Sequence, residues 1–234
     1  LESKNAEAIN RLVAIYERLK NRPRLQTLYS LQLELTGNKD VTILAKQAGI
    51  LKDIDPTKAI DAYNSILASD EKNVAAISGL VEIYSAQKNR QKETEFLGKL
   101  MQVDPTPEGN RKLAFMLLAA GDTLKAVGPL ADYLIVKSDA WGEMFTLANL
   151  YFKIGQFDKT ISVASEIISG QGKKPVDIGE VTLLRAKALL AKNDNAKAAE
   201  DLAAAVAANP KLGEGWFLLA LNAQKQSDWA NAKE

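Results

Sequence analysis

Two close carboxylate pairs, Glu93/Glu95 and Glu200/Asp201, are the residues whose types could support acid–base chemistry, since neighbouring carboxyl groups can be driven to opposite protonation states. Both pairs fall on helical stretches with no companion nucleophile or metal ligand, so a solvated helix surface is expected for them. The chain of 234 residues has no histidine, which removes the commonest general base near neutral pH and the commonest metal ligand. It has no cysteine either, so disulfides and thiolate metal sites are excluded. Three basic clusters, Lys20-Asn21-Arg22-Pro23-Arg24, Lys88–Lys92 and Lys173-Lys174, could meet phosphate or an acidic partner. The formal net charge is +1 and no aromatics are interleaved, which favours solvated turns and gives no case for nucleic acid. Neither a catalytic set nor a cofactor site emerges, and a non-enzymatic chain is expected.

The elements that position these residues repeat. In Gly213–Ala232, Trp216, Leu219, Ala220 and Ala223 share one helical face, Ser227-Asp228 is suited to end that helix and cap another, and Trp229 and Ala232 follow. The same grammar recurs 34 residues earlier around Thr182, Arg185, Ala186, Leu189, Asn193 and Ala198, and a fixed period of that length marks a repeat array. Earlier units show helices separated by Gly37-Asn38, Asp55-Pro56, Lys88-Asn89, Gly121-Asp122 and Gly155-Gln156, and Asp104-Pro105 and Asn209-Pro210 close units. Gly128-Pro129 predicts a kink or a late start in its helix. Ser169–Pro175 interrupts the period by about four residues and reads as an exposed connector.

These residues resemble tetratricopeptide repeats. Trp216…Leu219-Ala220…Ala223…Asp228-Trp229…Ala232 carries the likeness best, with Leu147-Ala148…Tyr151…Gly155…Phe157, Ile77…Leu80…Tyr84…Pro105 and Arg185-Ala186…Leu189…Ala198…Leu202…Ala205…Pro210 beside it. The resemblance implies an all-α, right-handed superhelix of about six and a half helix-turn-helix repeats. Sel1-like or armadillo-type arrays fit the spacing less well. The expected organisation is an irregular helix pair over 1–39, then an array over 40–234 with units near 40–73, 74–106, 107–140, 141–174, 179–212 and 213–234. Ala148, Ala186 and Ala220 are expected where two helices cross closely. The last unit stops inside its second helix and the chain starts at Leu1, so a segment of something longer, with any signal peptide elsewhere, is expected.

In that family the first helices of successive units line a concave groove. Here the corresponding residues are apolar: Val41, Leu44 and Leu51; Phe115 and Leu118; Phe145 and Phe152; Leu183 and Leu190; Phe217 and Leu221. One reading is an apolar groove for a partner protein's apolar or amphipathic segment, with Arg111, Asn149 and Lys187 as polar handles. The other is that neighbouring helices already cover these residues. Some members clamp a terminal carboxylate with a Lys and an Asn one turn apart. Here the equivalent pairs, among them Arg111/Phe115, Phe145/Asn149 and Leu183/Lys187, lack that combination, which disfavours Hsp70/Hsp90 C-terminal peptides. A protein-interaction scaffold is the first expectation, and the repeat segment of a larger bacterial envelope machine for polysaccharide export, secretion or assembly is the second. No run is long enough to span a bilayer; lack of cysteine is compatible with a periplasm and equally with a cytoplasm, and together with the lack of histidine and the abrupt C-terminus it leaves a bacterial periplasm or envelope weakly favoured.

Overall fold

The fold is taken from a computed structural model, which describes residues 2–37, 40–170 and 176–231, with side chains over 6–37, 40–170 and 176–225. Among the described residues there are thirteen α-helices and no strand. The chain divides into two compact units, Leu1–Gly109 and Asn110–Glu234. Within the first lie α1 (Glu2–Arg18), α2 (Arg22–Leu35), α3 (Val41–Leu51), α4 (Pro56–Ser69), α5 (Val74–Ala86) and α6 (Arg90–Val103). The helix α7 (Pro107–Ala119) leads into the second, followed by α8 (Thr123–Val136), α9 (Trp141–Lys153), α10 (Phe157–Ser169), α11 (Ile178–Ala191), α12 (Asn195–Ala208) and α13 (Gly213–Asn231).

Helices come in pairs because the same turn recurs inside the pairs. A residue with left-handed backbone is followed at once by the cap of the next helix: Lys20 (φ 53°) before Asn21, Lys88 (φ 56°) before Asn89, Gly121 (φ 82°) before Asp122, Gly155 (φ 76°) before Gln156, and Asn193 (φ 63°) before Asp194. The cap N–H reaches back to the carbonyl five residues earlier, as from Asn89 to Tyr84 (2.9 Å) and from Gln156 to Tyr151 (2.8 Å), which satisfies a carbonyl the ending helix leaves orphaned. At Asn21, Asn89, Asp122 and Asp194, though not at Gln156, the cap side chain then accepts from the new helix, as Asp122 does from the Lys125 N–H (3.2 Å). The second pair lacks the left-handed residue. Its turn ends on Asp55, whose carboxylate accepts from the Lys58 N–H (3.2 Å), with Pro56 in the first turn.

Within each unit the second helices pack between first helices: α2 on α1 and α3, α4 on α3 and α5, α6 on α5, α8 on α9, α10 on α9 and α11, and α12 on α11 and α13. Fully buried alanines mark these crossings, among them Ala48, Ala59, Ala114, Ala126, Ala148, Ala164, Ala186 and Ala198. A side chain that ends at Cβ lets two helix backbones approach, and larger residues from the flanking turns fill around it. Thus Ala114, Ala126, Leu130, Leu147 and Leu150 form one cluster, and Ala164, Ile167, Val181 and Met144 the next. In the first unit Gly79 does the same for Tyr63, whose ring lies against it.

Three sequence expectations need correction. The helix α13 does not end at Ser227-Asp228 but continues to Asn231. No glycine or proline stands there to stop it, and serine or aspartate inside a helix costs only a few tenths of a kcal/mol, on the order of 0.5. Its packing face is rotated as well. Gly215 and Asn222 are buried and Leu218 and Leu219 half-buried, whereas Trp216, Ala220 and Ala223 are exposed. Ala148 and Ala186 sit at close crossings as expected, but Ala220 does not, because no second helix folds back onto it among the described residues. Of the kink or late start expected at Gly128-Pro129, only the late start is ruled out: α8 begins at Thr123 and carries Pro129 inside it. Part of the expected connector at 169–175, including Lys173-Lys174, and Asn38 of the first turn lie outside the described residues.

Candidate binding face

The helices α7, α9, α11 and α13 of the second unit carry nine of the ten candidate residues, and Leu44, half-buried on α3, belongs to the first unit. Two polar groups tie successive first helices together. The Arg111 Nε donates to Glu143 Oε1 at 2.7 Å, linking α7 to α9, and its guanidinium carbon stands 5.2 Å from the Phe115 ring centroid. The Lys187 Nζ donates to Glu214 Oε1 at 2.7 Å, linking α11 to α13, and lies 5.6 Å from the Phe152 ring centroid on α9. Phe152 is held in turn by Phe157, with ring centroids 5.6 Å apart.

Each cation thus sits against an aromatic face while a carboxylate neutralises it. A contact of this kind between cation and ring adds about 0.5–1 kcal/mol at an exposed site. The Glu143 carboxylate, which takes the hydrogen bond, holds the Arg111 guanidinium above its ordinary value, and burial opposes this only in part. The result is a face that displays aromatic surface with little net charge.

The remaining candidates divide. Phe217 (65% exposed), Phe115 (39%) and Leu221 (37%) present open apolar surface. Phe145 and Phe152 are half-buried, and Phe145 packs against the Met144–Ala164–Ile167–Val181 cluster. Leu183 is 6% exposed and belongs to the core between α11, α12 and α13, so it has no free surface to offer; Leu51 is likewise core. Leu118 and Leu190 pack against cores. Asn149 uses its amide to donate to the Phe145 carbonyl one turn back (2.9 Å). Glu143 and Glu214, which fix the two cations, escaped the sequence reading. Their signal is there, an opposite charge on the neighbouring first helix 32 and 27 residues on, but it becomes a pair only once the helix register is known.

The carboxylates singled out for chemistry are tied elsewhere. Glu95 accepts from Lys92 (3.0 Å) and Lys99 (3.1 Å), and both lysines hold its carboxyl below the ordinary range. Glu93 is buried, 3.3 Å from Arg90. Asp201 takes both arms of Arg185, at 2.7 Å each, while a third nitrogen of that guanidinium reaches Ser165 on α10 (3.0 Å). Among the described residues no group of acidic residues is arranged to hold a metal ion, and no helix is long and apolar enough to cross a membrane.

No family model matches the chain. It is 30% identical over 148 residues to cellulose synthase operon protein C of Xanthomonas axonopodis pv. citri (strain 306), a match covering 59% of this chain and 9% of that protein's length. Among solved structures it is similar to the Naa15/Naa10 complex bound to HypK-THB, with TM-score 0.66 and 17% identity, over 97% of this chain and 35% of that one. It is similar also to MamA from Desulfovibrio magneticus RS-1, residues 41 to the end, with TM-score 0.51 and 16% identity, over 68% and 89% of the two chains. The recurrent helix pairs, the turn grammar and the alanine crossings, set on the motif residues already quoted, give the chain the fold of tetratricopeptide repeat proteins.

Proposed function

We propose that the chain is a non-enzymatic scaffold that captures an apolar or amphipathic segment of a partner protein on the first-helix face of its second unit. The observation that carries this reading is the pair of cation–ring–carboxylate groups, Arg111/Phe115/Glu143 and Lys187/Phe152/Glu214, set beside the open Phe217 and Leu221. Exposed aromatic surface next to satisfied charges suits a partner that brings apolar side chains and few charges of its own. Leu44, half-buried on α3, belongs to the first unit and would serve a partner there separately, and Asn149 would serve a partner through the acceptor its internal hydrogen bond leaves over.

The test is affinity capture with the native protein that contains this chain. Phe115→Glu and Phe217→Glu should lose the captured partner at unchanged helicity, while Leu124→Glu, at a 69% exposed site on α8 away from this face, should keep it. Retention of the same partner by both phenylalanine variants would end the proposal.

A second reading rests on the similarity to cellulose synthase operon protein C. In it, the repeats form part of a longer bacterial envelope machine for polysaccharide export or assembly, and the captured partner is another component of that machine. Fractionation of the native protein should then place it with the envelope. Recovery wholly in the cytoplasmic fraction would exclude it.

A further inference from the structure

In the interior of the first unit one hydroxyl group is left over. Tyr63 rises from α4, which packs on both α3 and α5, and its ring passes between two glycines. A Cβ on Gly79 of α5 would meet the ring at 2.3 Å, and a Cβ on Gly49 of α3 would stand 3.8 Å from the hydroxyl oxygen. Tyr63 is only 5% exposed, yet its oxygen is not sealed from the surface, and among the described residues no group forms a hydrogen bond with it. Burial raises the hydroxyl above its ordinary value, so it keeps its proton and stands ready as a donor.

The residues around that oxygen are small. On α3, Ala45 and Gly49 lie one turn apart, both half-buried, and on α5 Ala75 is exposed, Ser78 half-buried and Gly79 buried. Lys52, just past the end of α3, pairs with Glu82 on α5, so the nearby charges neutralise each other. Glycine and alanine let another backbone come close, and a large side chain gains nothing from such low walls.

The leftover donor says which kind of backbone fits. A helix has committed its carbonyls to its own N–H groups and presents none of them sideways to a hydroxyl. An extended chain offers carbonyls along its whole length. We propose that the strip between α3 and α5 holds an extended segment of a partner protein, built of glycine, alanine or serine, with one main-chain carbonyl accepting from the Tyr63 hydroxyl. The site differs in chemistry from the aromatic face of the second unit: it selects a thin, uncharged main chain, where that face suits large apolar side chains.

The test uses the 15N-labelled chain and a panel of six-residue peptides of glycine, alanine and serine, acetylated and amidated at their ends. A second panel carries valine in place of each alanine. In amide correlation spectra, the small-residue peptides should shift the Gly49, Ser78 and Gly79 resonances in a saturable manner, and the valine panel should leave them in place. Tyr63→Phe keeps the ring and removes only a hydroxyl without a partner in the chain, so its urea midpoint should match the parent's. It should bind the peptides about three- to tenfold more weakly, the worth of one neutral hydrogen bond. Gly49→Ala, whose added Cβ makes ordinary contact with the hydroxyl, should fold as the parent does and also bind more weakly. Replacing single amides of the tightest peptide by esters, which are poorer acceptors, should find one position that matters in the parent and not in Tyr63→Phe. Absence of saturable shifts at Gly49 and Gly79, equal affinity of Tyr63→Phe, or equal binding of the valine panel would overturn the proposal. Phe115→Glu and Phe217→Glu should bind the small-residue peptides as the parent chain does, so failure here and failure of the aromatic face are told apart.

Discussion

Replacing Gly79 by alanine should destabilise the first unit, although alanine is the better helix former. A Cβ built on Gly79 would lie 2.3 Å from Tyr63 Cζ, 2.5 Å from its Cε2 and 2.6 Å from its hydroxyl oxygen. Ordinary contact between such atoms is about 3.5–4 Å, so the ring would have to retreat by roughly 1 Å or α5 would have to move off α4. The ring has little room to retreat. Tyr63 is 5% exposed, and its hydroxyl is already 3.8 Å from the place a Cβ would take on Gly49, across on α3. Forced overpacking of this kind costs about 1–3 kcal/mol, against a helix-propensity gain of about 0.5–1 kcal/mol. The net loss is therefore on the order of 1–2 kcal/mol. The control is Gly98→Ala in α6, where a Cβ would meet nothing within 4 Å and only the propensity gain remains. Urea unfolding followed by circular dichroism should move the midpoint down for Gly79→Ala and up for Gly98→Ala. If Gly79→Ala matches or exceeds the parent chain, the close passage of Tyr63 between the two glycines is not what holds α4 against α5. The double variant Tyr63→Leu with Gly79→Ala locates the cause. Relief of the clash should make Gly79→Ala nearly neutral in that background.

Three further outcomes are expected. Asp201→Asn leaves the half-buried Arg185 guanidinium without its carboxylate, and should lower stability by about 1–3 kcal/mol by urea titration, less than for a fully buried pair because Arg185 keeps contact with water. Asn222→Leu should be neutral or stabilising by up to about 1 kcal/mol, since the Asn222 Oδ1 is buried without a partner and its amide reaches only the Asn195 carbonyl (2.9 Å) at the start of α12. With pH, the carboxyls of Asp55, Asp122, Asp194, Glu17 and Glu95 are all held below their ordinary values by hydrogen bonds to nearby groups, chiefly lysines, helix N–H groups and, for Glu17, the Tyr29 hydroxyl. Their contribution is present above the unfolded carboxylate range and disappears as pH falls through the lowered values, so thermal melts should weaken below about pH 4. Tyr29 behaves oppositely: burial and the Glu17 carboxylate raise its hydroxyl, and its contribution is lost as pH rises beyond about 10.

How much of this was readable beforehand follows from where each feature is encoded. The turns were legible because their chemistry is local. A residue that tolerates left-handed backbone, followed by Asn or Asp, names both the end of one helix and the start of the next, as at Gly121-Asp122. The alanines at the crossings were legible through their period, as Ala148 and Ala186 show. Which face α13 buries was not legible, because apolar residues ring the helix. Packing against α12 chose Leu218, Leu219 and Asn222 over Trp216 and Ala220. The same ambiguity put Leu183 and half of Phe145 into the core while leaving Phe217 open, although all three read alike along the chain. The ion pairs of the candidate face depend on side chains 27 and 32 residues apart meeting across helices, which no local pattern specifies.

That each helix leans mainly on its immediate neighbours in the chain has a consequence for how the polypeptide comes into being. A ribosome emits about 5–20 residues each second, so one further pair of roughly 34 residues emerges every 2 to 7 s or so. Within each unit a pair can close over the one before it in that interval, since helices and their short turns form in microseconds. No part of the nascent chain has to wait for a distant segment before its oily side is hidden, and the molecule can mature in the order in which it is written.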